Sequence, residues 1–125
     1  MTYSAQTPRG IVLFAHGSRD PLWRAPIEAV AAQIRARQPE TPVLCAYLEM
    51  CPPTLSDAAS NLIAAGARQL RVFPLFFGVG KHAREDFPLL LAQLRAAHPD
   101  VAIELLPAAG EDDRLTALMA DIALS

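Results

Sequence analysis

Three side chains in this sequence combine metal-handling chemistry with positions on connecting segments: His16, Glu49 and His82. Two imidazoles and a carboxylate suit a first-row divalent ion. A closed structural site calls for four ligands, often with cysteine among them. A smaller set on loops therefore describes an open site that can take up a metal and let it go. Singly, each residue reads as ordinary: His16 a hydrogen-bonding loop residue, Glu49 a solvated carboxylate, His82 a surface imidazole. The two histidines together favour function. Arg19, Arg24, Lys81 and Arg84 lie within a few positions of them, with Trp23, Phe76, Phe77 and Phe87 interspersed. A large, flat, apolar ligand bearing carboxylates would use that mixture, although Phe87 fits a core position better.

These residues are placed by the order of elements. Gly10 to Ala15 is an apolar run with β-branched residues, bounded by Gly10 and by His16-Gly17-Ser18, and reads as a buried strand. A helix follows, with Ile27, Val30 and Ile34 on one face. Asp20-Pro21 supplies N-cap and N1, and Pro26 is expected to distort its first turns. Val43 to Leu48 is the second strand, closed by Pro52-Pro53. Thr54-Leu-Ser-Asp57 opens the second helix as a capping-box variant, whose apolar face is Leu55, Ala58, Ala59, Leu62 and Ile63 and whose C′ residue is Gly66. Leu70 to Phe76 is the third strand. His82 is expected in the loop after it, with the third helix starting near Glu85-Asp86 and carrying Phe87, Leu90, Leu91 and Leu94 inward. Val101 to Leu105 is the fourth strand. The last helix starts at about Asp112, with Leu115, Leu118, Met119 and Ile122 facing inward.

The order βαβαβαβα predicts an α/β protein: a four-stranded parallel sheet with helices on both faces and right-handed crossovers. Residues 1–9 read as a flexible N-terminal segment and residues 10–125 as one domain. In open parallel sheets, ligands bind beyond the carboxyl ends of the strands. His16 follows strand one, Glu49 follows strand two, and His82 follows strand three, so element order alone makes the three converge.

Composition sets the outer bounds. The chain has 125 residues, enough for one sizeable core. It is 52% apolar and 19% charged, a globular balance. The formal net charge of −2 gives no basic excess for nucleic acid. Apolar runs such as Val72 to Val79 are too short to span a bilayer, and Met1 to Arg9 lacks a signal-peptide core; a cytoplasmic protein is expected. An extended strand would hold Cys45 and Cys51 roughly 20 Å apart, beyond the about 7 Å between Cα atoms that a disulfide allows, which fits a reducing compartment. Cys51 is a weak candidate soft ligand near Glu49. His98 precedes Pro99 at a helix C-terminus and reads as structural. Neither a G-x-S-x-G elbow nor a phosphate-binding G-x-x-x-x-G-K-[ST] loop occurs.

The residues now in view resemble a known family. Leu13-Phe-Ala-His-Gly-Ser-Arg-Asp-Pro21 is similar to the opening motif of the sirohydrochlorin chelatases of the CbiX/SirB type. Phe76-Phe-Gly-Val-Gly-Lys-His-Ala-Arg-Glu-Asp-Phe-Pro88 resembles their second motif, and Ala46-Tyr-Leu-Glu-Met50 with Pro53-Thr-Leu resembles the segment between. The resemblance runs from about Gly10 to Leu106. It implies a Rossmann-like class II chelatase that inserts cobalt, iron or nickel into sirohydrochlorin or a related tetrapyrrole without ATP, in cobalamin or sirohaem synthesis. It also implies His16 and His82 as the metal-handling histidines, Glu49 as an assisting carboxylate, and a homodimer in place of the two units of larger relatives. On that reading Ser18, Arg19, Lys81 and Arg84 contact substrate, the three basic residues gripping peripheral carboxylates. The metal is then a substrate, with no cofactor retained. A histidine of neutral charge near pH 7 can receive metal or proton. Two rivals remain: a histidine-phosphatase-like phosphotransferase, disfavoured because Ala15 stands where an arginine would precede the histidine, and a non-catalytic metal carrier or degenerate chelatase partner.

Overall fold

A computed structural model describes residues 9–125. The order is β1 (Arg9–Ala15), α1 (Pro21–Arg37), β2 (Val43–Tyr47), α2 (Leu55–Ala64), β3 (Gln69–Pro74), α3 (Lys81–Ala97), β4 (Ala102–Leu105), a 3₁₀ turn (Ala109–Glu111) and α4 (Asp113–Leu124). The four strands form one sheet in the order β2-β1-β3-β4, parallel throughout, with Leu13 beside Cys45 on one side and Phe73 on the other. The expected parallel α/β architecture is present. Residues 1–8 of the expected N-terminal segment lie outside the described residues, and Arg9 already belongs to β1.

Alternation along β1 divides the core in two. Val12 and Phe14 point to one face, where Leu55, Ala59, Leu62 of α2 and Phe87, Leu91, Leu94 of α3 enclose them. Leu13 points to the other face, with Val43 and Ala31 of α1. The local signals that open the helices act as expected. The Asp20 carboxylate accepts from the Leu22 N–H and Pro21 is N1. The Thr54 hydroxyl accepts from the Asp57 N–H at 3.1 Å. At the end of α2 the Gly66 N–H donates to Ile63 O and the Ala67 N–H to Leu62 O, a Schellman closure that requires the φ of +112° at Gly66.

Several expectations are corrected. Helix α1 runs without a break through Pro26. Helix α3 starts at Lys81 with Gly80 as N-cap, so His82 lies in its first turn and not in the preceding loop. Pro88 is interior, because the apolar stripe extends a turn earlier, through Ala83 to Phe87. The largest departure is α4. It has no buried residue; Leu118, Met119 and Ile122 are exposed, and its main contacts are with the turn before it. Of the face expected to point inward, Leu115 is partly buried, and Leu118, Met119 and Ile122 form an apolar stripe left exposed among the described residues. Correspondingly, Phe73 and Leu75 are only partly buried on the α1 side of the sheet. No helix is long and apolar enough to cross a membrane among the described residues.

Candidate metal-handling site

The central strand β1 is flanked by β2 and β3, so the chain leaves it in one direction and returns past it in the other. Such a switch point opens a crevice beyond the strands' carboxyl ends. His16 is the first residue past β1, and Glu49 lies two residues past β2. The ladder continues beyond both strands: the Leu48 N–H donates to Ala15 O at 2.9 Å, and the Glu49 N–H to His16 O at 3.0 Å. Backbone pairing therefore sets the two side chains beside each other. His16 Nε2 lies 3.1 Å from Glu49 Oε2, with about half of each side chain exposed. An ionised carboxylate only accepts, so His16 Nε2 is the donor in this contact.

Gly17 makes that approach possible. Its φ is +108°, and a Cβ there would stand 1.9 Å from Glu49 O. Only a residue without a side chain lets the loop cross so close to the second strand's end. Beneath His16 lies an aromatic cluster. Its ring centroid is 6.5 Å from that of Phe76, which packs edge-on against Phe87 at 5.2 Å. Phe14 completes the group at 6.3 Å from Phe76 and 5.6 Å from Phe87.

The remaining candidates spread around this pair. Ser18 is half-buried and its hydroxyl accepts from the Asp20 N–H at 3.0 Å, a role in shaping the turn. Arg19 is exposed on the same loop. Lys81, His82 and Arg84 are exposed in the first turn of α3. The structure brings His16 and Glu49 together; it does not add His82 to them in a ligand cluster, and no group of three His, Cys, Asp or Glu residues close enough to hold a metal occurs among the described residues. His98 caps α3, its N–H donating to Leu94 O.

Arg84 borders a cavity of about 710 Å³ beyond the ends of β3 and β4, with Phe77, Val79, Phe87, Leu105, Pro107 and Glu111 among its walls. Sequence reasoning gives the segment after β4 no part in a site. Its one signal is Glu111, whose carboxylate folds back to accept from the Ala108 N–H at 3.0 Å. The two cysteines are unpaired, but not for the expected reason. Strand β2 stops at Tyr47 and the chain doubles back, the Tyr47 N–H donating to Pro53 O, so Cys45 and Cys51 line one cavity. Burial, with Glu28 nearby, pushes the Cys45 thiol above its ordinary value. Burial, reinforced by Cys45, Glu28 and Cys51, pushes the Tyr47 phenol up to about 12.

An open parallel α/β sheet with helices on both faces and a crevice at its switch point is a Rossmann-like domain. Among such domains, the chain belongs to the CbiX family, whose sequence profile matches residues 10–123. It is 33% identical over 112 residues to the sirohydrochlorin cobaltochelatase of Saccharolobus solfataricus, covering 85% of this chain and 86% of that one. It is 40% identical over 82 residues to the protein of the same name from Saccharolobus islandicus, where the match spans 62% of the relative's length. Among solved structures, a CbiX protein from Marinobacter aquaeolei superposes with a TM-score of 0.80 at 33% identity, covering 93% of this chain and 94% of that one. The sirohydrochlorin chelatase SirB of Bacillus subtilis, solved with cobalt, shares the fold with a TM-score of 0.75 at 24% identity; the match covers 94% of this chain and 52% of SirB.

Proposed function

We propose that this protein is an ATP-independent chelatase that inserts a divalent metal, cobalt first among candidates with iron and nickel as alternatives, into sirohydrochlorin or a closely related tetrapyrrole. The observation that carries the reading is the His16–Glu49 pair, solvent-accessible at the sheet's switch point and held at 3.1 Å. Metal insertion must exchange the ligands of the ion and remove two pyrrole N–H protons. An imidazole beside a carboxylate can do both: either group ligates the ion, and as the ring nitrogens take the metal over, either can accept a proton. His82, in the first turn of α3, is assigned to the opposite rim of the same opening, where it would meet the ion after or before His16. The apolar cavity bordered by Arg84 suits the flat ring, and Arg19, Lys81 and Arg84 suit its peripheral carboxylates. Ser18 would fix the turn on which His16 is carried. The metal is a substrate that leaves in the product.

A second copy of the chain is part of this proposal. The apolar stripe of α4 and the partly covered sheet face near Phe73 and Leu75 occur in every copy, as an isologous pair requires. The two unpaired cysteines suit a reducing cytoplasm.

The test is cobalt insertion into sirohydrochlorin, followed by absorbance, with Fe²⁺ and Ni²⁺ as competitors. His16→Ala and His82→Ala are each expected to lose most of the activity while their circular dichroism stays that of the parent. Turnover at the parent rate in both variants would refute the assignment, and binding of metal without turnover would make the protein a carrier. Sedimentation is expected to give a dimer that Ile122→Glu divides.

A further inference from the structure

A second cavity, of about 530 Å³, lies along the outer edge of the sheet, between α1 and the chain reversal after β2. Arg24, Glu28 and Arg35 of α1 line it with Cys45, Tyr47 and Cys51. Tyr47 is only 3% exposed, yet beyond the Cys45 thiol, a weak acceptor, its hydroxyl has no hydrogen-bond partner among the described residues. Buried hydroxyls are almost always paired, so an orphan of this kind points to something missing. Arg24 is half-buried and uses Nη1 to hold Ser18 O at 3.0 Å, leaving the rest of its planar fork of donors without an acceptor among the described residues. Arg35 reaches the other way, its Nη2 donating to Val43 O at 3.0 Å.

We propose that this cavity is a carboxylate-binding site, in which the Arg24 guanidinium and the Tyr47 hydroxyl together hold one carboxylate. A guanidinium fork matches the two oxygens of a carboxylate, and a phenol beside it supplies a third donor. A metal is the poorer occupant, because Cys45, Cys51 and Glu28 form no ligand cluster. Glu28 makes no ion pair with either arginine among the described residues and leaves a negative charge on the wall. That disfavours a second carboxylate inside the cavity and favours a ligand group presenting a single one here.

The location gives the carboxylate two sources. Arg24 is tied to Ser18, two residues beyond His16, and Tyr47 lies directly beneath Gly17, where an added Cβ would stand 3.2 Å from Tyr47 Cβ. The cavity therefore adjoins the metal-handling pair, and a side arm of the bound macrocycle could enter it. In that case the site rests on the proposed chelatase function, and Arg24 selects which rim of the ring faces inward. The other source is a free small carboxylic acid.

Trp23, the only tryptophan in the chain, has its ring centroid 6.5 Å from that of Tyr47 and reports on the cavity wall. Propionate titrated into the intact protein is expected to change its fluorescence saturably. Arg24→Gln should weaken that binding at least about tenfold, Arg24→Lys by less, since charge is kept and the fork lost, and Tyr47→Phe by about tenfold, consistent with removal of one hydrogen bond to a charged group. A response that does not saturate, or that is the same in the parent and both Arg24 variants, overturns the proposal; the lysine variant keeps the test valid if the glutamine variant fails to fold. Sirohydrochlorin and its octamethyl ester then separate the sources. If propionate competes with sirohydrochlorin and Arg24→Gln weakens the acid but not the ester, the occupant is the macrocycle's arm. If propionate binds through Arg24 without competing, the occupant is a free acid. The propionate measurement needs no turnover, so failure of the chelatase reading would not be mistaken for failure of the site.

Discussion

Replacing Gly17 with alanine tests whether backbone proximity sets the His16–Glu49 pair. The new methyl would begin 1.9 Å from Glu49 O, and ordinary contact requires the two segments to part by about 1.5 Å. Holding alanine at a φ of +108° is strained by about 1–3 kcal/mol. Parting the segments also breaks the 3.0 Å bond from the Glu49 N–H to His16 O, a further loss of about 1 kcal/mol. The sum, about 2–4 kcal/mol, should lower the melting temperature by roughly 10 °C for a chain of this size. A displacement of that order at reacting groups costs about 100-fold in rate. Thermal melting by circular dichroism and cobalt insertion would be measured on the same preparation. Gly66→Ala is the comparison: its φ is +112°, but nothing stands within 4 Å of the added methyl, so it should lose stability by the conformational term alone and keep the parent rate. If Gly17→Ala melts within about 2 °C of the parent and turns over normally, the loop does not depend on the close approach and the reasoning fails.

Glu49→Gln keeps the shape of the pair but removes the charge and the base; a fall of about 10²- to 10⁴-fold in kcat/KM is expected, and an unchanged value would remove Glu49 from the chemistry. Phe14→Ala, at a residue 2% exposed that touches both Phe76 and Phe87, should cost about 3–5 kcal/mol in chemical denaturation, and a loss under about 1 kcal/mol would contradict the two-sided core. The raised phenol of Tyr47 contributes stability that is complete below the unfolded value of about 10 and is lost as pH rises through the folded value of about 12; ultraviolet titration of Tyr47→Phe against the parent should remove one late-ionising phenolate. Asp112, held at about 2 by Arg114 and the Arg114 N–H, caps α4, so the helix should loosen as pH falls from about 4 toward 2, and Asp112→Asn should flatten that transition followed by circular dichroism.

Signals confined to a few neighbouring residues are legible in the sequence. The caps at Asp20 and Thr54, the closing glycine at 66 and the alternation along Val12-Leu13-Phe14 depend on local geometry that residue type records directly. The placement of His16 and Glu49 beyond adjacent strands follows from element order. Reading Glu85-Asp86 as the start places the third helix a turn late, because acidic residues favour a first turn without fixing it, and the packing of Ala83 against the core carries the helix back to Lys81. The inward face assigned to Leu118, Met119 and Ile122 fails for a different reason: an amphipathic stripe shows that a face is to be buried, not which chain buries it. The wide separation expected of Cys45 and Cys51 assumes an extended segment, which the reversal at Tyr47 replaces. The Tyr47–Arg24 cavity has no sequence signal at all, since its members are brought together by that same reversal.

The continuation of the β1–β2 ladder through Glu49 has a consequence for redesign. Because the main chain at position 49 is fixed by its bond to His16 O and not by what its side chain does, the donor presented there can be exchanged without re-laying the loop. Aspartate would draw the oxygen back by one methylene, histidine would give a two-nitrogen set, and cysteine a soft one. Such a series would rank divalent ions on a scaffold that does not change, with only the hardness and reach of a single donor as the variable.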